Sequence, residues 1–190
     1  RRLRGKGVCK EELLKEDQAA FGDLPPSVFD ACRKQPTRAN SLSLVRFDDN
    51  DYSVPVAYAH HAILIKGYTD RVELCHQDKV VAEHGRSWGK EGVFFRYVHY
   101  LPLLERKPGA LDHALPLADL DLPECFGTLR RRLVAEEEKS GDGVRKFIQV
   151  LRLLEDHPLP RLQRAVEKGL SVGAHSREAI TQFLFPGPFW

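Results

Sequence analysis

"NSLSLVRFDDNDYSVPVAY", Asn40 to Tyr58, alternates apolar and polar residues, breaks at acidic and amide residues, and alternates again into a proline. Period-two alternation is the signature of a half-buried strand. Asp and Asn tolerate left-handed backbone and bond their own main chain, so "DDND" reads as a turn. The stretch therefore predicts a β-hairpin, with strands over 41–47 and 52–58, and Arg46 and Tyr52 flank its turn. Pro55 cannot donate to a ladder, which predicts an edge position or a bulge for the return strand.

The same periodicity continues in "AILIKGY" (62–68), "RVELCHQ" (71–77) and "VVAEHG" (80–85). The joints at Thr69-Asp70 and Gln77-Asp78-Lys79 are of hairpin length. Five short strands with such links predict a small antiparallel β-barrel over 41–98. Upstream, "KEELLKEDQAAF" (10–21) predicts a short helix that ends at Gly22 and Pro25-Pro26. Residues 22–40 read as an irregular connector, so 1–40 form a linker with one helix.

From Tyr100 the period changes to that of a helix. Phe126, Leu129 and Leu133 share a face behind Pro123, with Asp121 as a possible cap. Val144, Phe147, Ile148, Leu151 and Leu154 follow an i, i+3, i+4, i+7 stripe. Leu162, Ala165, Val166 and Leu170 form a third stripe. Ala179, Ile180, Phe183 and Leu184 form a fourth behind Ser176. Residues 99–190 are thus expected to be a helical bundle, and the fold class α+β. The short link at Pro158–Pro160 predicts that the second and third of these helices are antiparallel neighbours.

The chain has 190 residues and a net charge of only +2, so the mean charge does not identify a partner. The basic start (Arg1, Arg2, Arg4, Lys6, Lys10) and the Arg130–Arg132 run stand out. Charge runs are usually solvated faces, and the Arg130–Arg132 run is balanced by Glu136–Glu138. No apolar run reaches the roughly 20 residues of a membrane span, and no secretory signal opens the chain. Cys9, Cys32, Cys75 and Cys125 stand far apart with no C-x-x-C pair, which predicts reduced thiols in an intracellular protein. The absence of methionine means that residue 1 is not an initiator. That leaves a fragment of a longer protein or a missing start.

Catalytic signatures are not found. Asp48, Asp49 and Asp51 lack the spacing and distal Glu of a calcium loop. His60, His61, His76 and His84 lie near Cys75, but no pair shows zinc spacing. Strand neighbours alternate faces, so Cys75 and His76 cannot both point inward. Serine-hydrolase, zinc-protease, P-loop and dinucleotide motifs are missing. The barrel segment instead interleaves cations and aromatics: Arg46, Tyr52, Lys66, Arg71, Arg86, Trp88, Lys90 and Arg96. In "HGRSWGKEG" (84–92), Arg86, Trp88 and Lys90 alternate beside glycines. Cations neutralise phosphates and an indole stacks on bases, so these eight are the candidate nucleic-acid contacts. The bland alternative is a solvated loop whose Trp88 closes the barrel end.

At this point the residues carry a resemblance. "NSLSLVRFDDNDYSVPVAYAH", "VVAEHGRSW" (80–88), "HYLPLLERKPGALDHALPL" (99–117), "LPECFGTLRRRL" (122–133), "VRKFIQVLRLLE" (144–155) and "LQRAVEKGLSVGA" (162–174) resemble IstA-type insertion-sequence transposases, relatives of phage Mu transposase and retroviral integrases. The resemblance covers about 150 residues in order. It implies an SH3-like barrel and helical tail that follow an RNase H-like catalytic domain. It also implies Mg²⁺-dependent DNA cleavage and strand transfer by three carboxylates upstream, none of which maps here. This chain is thus expected to be non-catalytic and to hold no cofactor. The partners it implies are transposon-end or target DNA, other transposase subunits and an AAA+ ATPase helper, in the bacterial cytoplasm. "ITQFLFPGPFW" departs from the longer basic end of the family. A protein-interaction module with little DNA contact, and an inactive remnant of a truncated element, stay open as alternatives.

Overall fold

A computed structural model describes residues 9–23, 29–117, 120–137 and 142–185. It divides into a unit ending at Ala31 and a larger one beginning at Cys32. In the first, α1 (Lys10–Ala20) forms as expected. Its start is closed by Glu12, whose carboxylate accepts the Cys9 backbone N–H at 3.1 Å. None of its residues is buried.

The larger unit opens with strands β1 (Arg33–Arg38), β2 (Leu44–Phe47), β3 (Asn50–Ser53), β4 (Ala62–Gly67), β5 (Arg71–His76), β6 (Lys79–Gly85) and β7 (Val93–Phe94). They form two sheets, in the orders β1-β4-β5-β6 and β2-β3-β7. All ladders are antiparallel except the short parallel pair β3–β7. The expected closed barrel is therefore corrected to two sheets around one core of Val45, Phe47, Tyr52, Val54, Ile63, Ile65, Val72, Leu74 and Ala82.

The predicted hairpin is present, with a tighter turn. Phe47 pairs with Asn50, and Asp48 and Asp49 have φ of 46° and 61°. Two successive left-handed residues make the primed turn whose twist matches the strands. The return strand stops at Ser53. Pro55 precedes a 3₁₀ turn over Val56–Tyr58, because proline ends the ladder and its fixed φ suits a helical turn. β1 lies in the stretch read as a connector, and its Pro36 sits on a sheet edge, where the missing N–H costs nothing. A register shift at Leu74/Cys75 breaks strict alternation in β5 and buries both residues. Phe47 lies against the backbone of Gly67, where a Cβ would overlap the ring.

The helical part comprises α2 (Leu101–Arg106), α3 (Glu124–Glu136), α4 (Gly143–Leu151), α5 (Leu159–Val172) and α6 (Arg177–Leu184), with 3₁₀ turns between. The stripes read from sequence enter one apolar core, with Phe126, Leu129, Leu133, Phe147, Ile148, Leu151, Leu162, Val166 and Ile180 buried. Ser176 caps α6 by accepting the Ala179 N–H at 3.2 Å. Gly173, at φ 72°, closes α5 through the left-handed conformation that glycine adopts without strain. Pro123, not Asp121, occupies the position before α3. The pairing also differs from expectation: α4 packs chiefly on α3 and α2, and α5 on α6 and α3. α3 thus stands between two helices predicted to be neighbours. The link at Pro158–Pro160 is lengthened in effect by a 3₁₀ turn, Arg152–Glu155, which redirects the chain.

A buried polar joint connects the strands to the helices. Ser53 Oγ accepts the Arg96 backbone N–H at 2.9 Å and lies 2.8 Å from His99 Nδ1. His84 Nε2 lies 2.7 Å from the Ser53 carbonyl oxygen, and the two imidazoles are 5.8 Å apart. The carbonyl can only accept, so His84 donates through Nε2. Burial disfavours the charged form of both rings. It lowers His84 below the ordinary value and, with His84 and Arg96 nearby, pushes His99 down to about 3. Tyr100 completes the joint by donating its hydroxyl to the Leu42 carbonyl at 2.9 Å.

Candidate nucleic-acid interface

Three stretches converge at one end of the strands: the β2–β3 turn, the β4–β5 joint and the loop after β6. Arg86 links all three. Its guanidinium donates to Asp48 Oδ2 and to the Tyr68 carbonyl, both at 2.6 Å, and its backbone N–H donates to the Asp70 carbonyl. Its side chain is only 10% exposed. The guanidinium lies 5.4 Å from the Phe47 ring and 3.8 Å from the Trp88 ring.

Asn50 locks the loop. It is fully buried, and its amide donates to the Gly89 and Asp48 carbonyls at 2.7 and 2.9 Å while its oxygen accepts the Gly92 N–H at 3.0 Å. Ser87 N–H donates to the Tyr52 hydroxyl at 3.1 Å, and Glu91 N–H to the Asp49 carbonyl at 2.8 Å. These bonds satisfy groups that a tight glycine loop would otherwise leave unpaired. The result is a pinned loop that presents Trp88, 71% exposed, with one face on Arg86.

The eight residues read from sequence fall into distinct places. Trp88 and Lys90 are exposed on this loop, and Lys90 approaches Asp49 at 3.4 Å. Arg46 is exposed but bridges Glu91 at 2.8 Å and Asp51 at 3.4 Å. Arg71 pairs with Glu73 at 2.9 Å and stacks over Tyr68 at 4.0 Å. Lys66 stands opposite Glu73 on β4. Arg96 lies apart, donating to the Glu83 carbonyl at 3.3 Å.

Tyr52 is a correction. It is 0% exposed, and its ring stacks on Phe94 at 5.2 Å. It cannot offer its ring to a phosphate backbone; its hydroxyl supports the loop instead. Arg86 is likewise a support, because its nearly buried guanidinium is held by Asp48, which Arg33 also bridges at 2.7 Å. Two residues escaped the sequence reading. Tyr68 could have been found as the aromatic at a hairpin joint; buried Asn50 gave no signal beyond its place in the turn.

The arrangement is electrostatically balanced, with Arg46, Arg71 and Arg86 each holding a carboxylate. What it offers outward is the flat indole of Trp88 and the exposed side chain of Lys90. Base stacking on such a platform is worth roughly 1–3 kcal/mol per base. The cation beneath does not compete, because it occupies the other face. Among the described residues no three His, Cys, Asp or Glu side chains gather as metal ligands.

A two-sheet β unit continuous with a helical bundle defines a small α+β module. Residues 24–96 match the family "Mu transposase, C-terminal domain". A transposase for insertion sequences IS1326/IS1353 from Pseudomonas aeruginosa is 33% identical over 184 residues, 91% of this chain and 35% of that protein. The Shigella flexneri protein of the same name matches equally. A transposase from Aminobacter aminovorans is 30% identical over 161 residues, 82% of this chain and 30% of that protein. The chain belongs with the carboxy-terminal regions of insertion-sequence transposases. It spans about a third of the length of the curated relatives it matches. No solved structure matches it.

Proposed function

We propose that this chain is the DNA-engaging and assembly region of a transposase and does not itself cut DNA. The Trp88 platform is the observation that carries this reading: a large indole held rigid and exposed in a pinned loop, with Lys90 beside it. Pre-ordering removes most of the entropy cost of using such a side chain in binding. The indole stacks on or wedges against the DNA and Lys90 meets the backbone. Transposon-end or target DNA is the partner, together with other transposase subunits and a helper ATPase. Mg²⁺-dependent cleavage and strand transfer belong to sequence outside this stretch, and the working compartment is the bacterial cytoplasm.

A titration of labelled duplex DNA by fluorescence anisotropy at several salt concentrations tests the reading. The expected log–log salt slope is about −0.9 per phosphate neutralised. Trp88→Ala lowers affinity about tenfold, the loss of one stacked base, and Lys90→Ala shallows the slope by about 1. Arg86→Ala is unsuitable as a test, since it removes the bonds to Asp48 and the Tyr68 carbonyl that tie the loop to its neighbours. Unchanged DNA affinity in folded Trp88→Ala and Lys90→Ala proteins overturns the assignment of this face.

A further inference from the structure

Between the strands and the helices runs a groove of about 1120 Å³. That exceeds the roughly 300–1,000 Å³ of small-molecule pockets. It lies away from the Trp88 loop, none of whose residues lines it. Its apolar lining includes Leu42, Phe95, Leu103 and Leu115, all solvent-exposed, with Leu42 at 66% and Leu115 at 76%. Arg96, Arg106 and Lys107 line it as well, and none of the three has a carboxylate partner among the described residues. The only lining carboxylate among the described residues, Glu155, is held by Arg152 at 2.8 Å. The groove therefore presents exposed leucines beside uncompensated positive charge, the reverse of the balanced Trp88 end.

We propose that this groove is a docking site for an acidic amphipathic helix of another protein chain. Large apolar side chains at i, i+3 or i+4, and i+7 would cover Leu42, Phe95, Leu103 and Leu115. Carboxylates on the flanks of the helix would meet Arg96, Arg106 and Lys107. Helix-in-groove recognition has this form: apolar anchors supply affinity, and charge at the rim sets partner choice and orientation. A nucleic acid would use the cations but leave the leucines wet, so the combination favours a peptide.

The probe is a fluorescein-labelled, amidated 16-residue helical peptide with leucines at those spacings and glutamates between them. A twin carries lysine for each glutamate. Both are titrated into the whole chain by anisotropy. The acidic peptide should bind at least about tenfold tighter than its twin. Leu42→Ser/Leu115→Ser and, separately, Arg106→Glu/Lys107→Glu should each weaken it by about tenfold, with the circular dichroism spectrum unchanged. Both pairs are surface residues, so folding is retained. DNA affinity at the Trp88 face should not move, which separates this site from that one. Equal binding of the two peptides, or binding insensitive to both double variants, overturns the proposal. Displacement of the peptide by duplex DNA reassigns the groove to nucleic acid. Concentration-dependent self-association that Leu42→Ser/Leu115→Ser abolishes reassigns it to a second copy of this chain. Either result also overturns the proposal.

Discussion

The two halves of the larger unit are held together by different means. Among the described residues, α2 to α6 bury apolar side chains and no polar one. The strand region buries Asn50, Ser53 and His84 among its apolar residues, with His99 at its junction with the helices. A helix satisfies its own backbone, so its packing face can be purely hydrophobic. The strand region has short strands and tight loops whose main-chain groups need outside partners, and buried side chains supply them. Apolar packing degrades gradually as volume is removed. A buried polar network fails through unpaired donors and acceptors, or through protons.

The largest expected effect is in the helical half. Phe147→Ala should cost about 3–5 kcal/mol, the usual range for emptying a buried phenylalanine site. Thermal unfolding measures it, and a midpoint equal to the parent's would refute the internal core. Next comes Asn50→Ala, which should cost about 2–3 kcal/mol because loop carbonyl and amide groups lose their partner. It should also raise hydrogen exchange across 86–92, whereas Phe147→Ala should not change exchange there beyond its global effect.

Acid should act on the joint. His99 titrates near pH 3 when folded against 6.5 when unfolded, so the unfolded chain takes up the proton first. Its contribution is fully present above pH 6.5 and is lost as pH falls toward 3, at about 1.4 kcal/mol per pH unit. His84 shifts in the same direction and adds to the loss. Urea melts at pH 7 and 5 should differ by about 2 kcal/mol, and less in His99→Gln. A pH-independent stability would break the contrast between the halves. The smallest effect belongs to Trp88→Ala. An exposed indole contributes little to folding, so stability should stay within about 0.5 kcal/mol while DNA binding drops.

The helical half was the more legible in sequence for the same reason that it is apolar. Phe126-Leu129-Leu133 and Phe147-Ile148-Leu151 carry their burial in a 3.6-residue period and lie in the core as read, with Val144 partly buried at its margin. Which helices pair was not legible, because the stripes do not record the turn at Arg152–Glu155. In the strand half, β2, β4, β5 and β6 were visible by alternation, and β3 was found but read too far along the chain, as 52–58 and not Asn50–Ser53. β1, "RKQPTR", has no apolar residue and a central proline, and β7 has two residues, so hydrophobic periodicity carries no trace of either. The candidate site was half legible. Trp88 and Lys90 could be picked out as an exposed aromatic and a cation between glycines. That Arg86 would be held by Asp48, and Tyr52 by the core, depends on a bond across 38 residues and on the packing of Tyr52 against His84 of the other sheet.

The contact between Phe47 and Gly67 has a consequence for reading relatives. The ring occupies the volume that any side chain at 67 would need, and the two positions lie on different sheets, twenty residues apart. Neither site can drift independently: a larger residue at 67 is tolerable only where the partner at 47 has shrunk. Across a set of transposase sequences the two columns should therefore covary, bulky opposite glycine and small opposite larger. That pairing could be used as a fingerprint to align divergent members in which the hairpin itself has lost its recognisable letters.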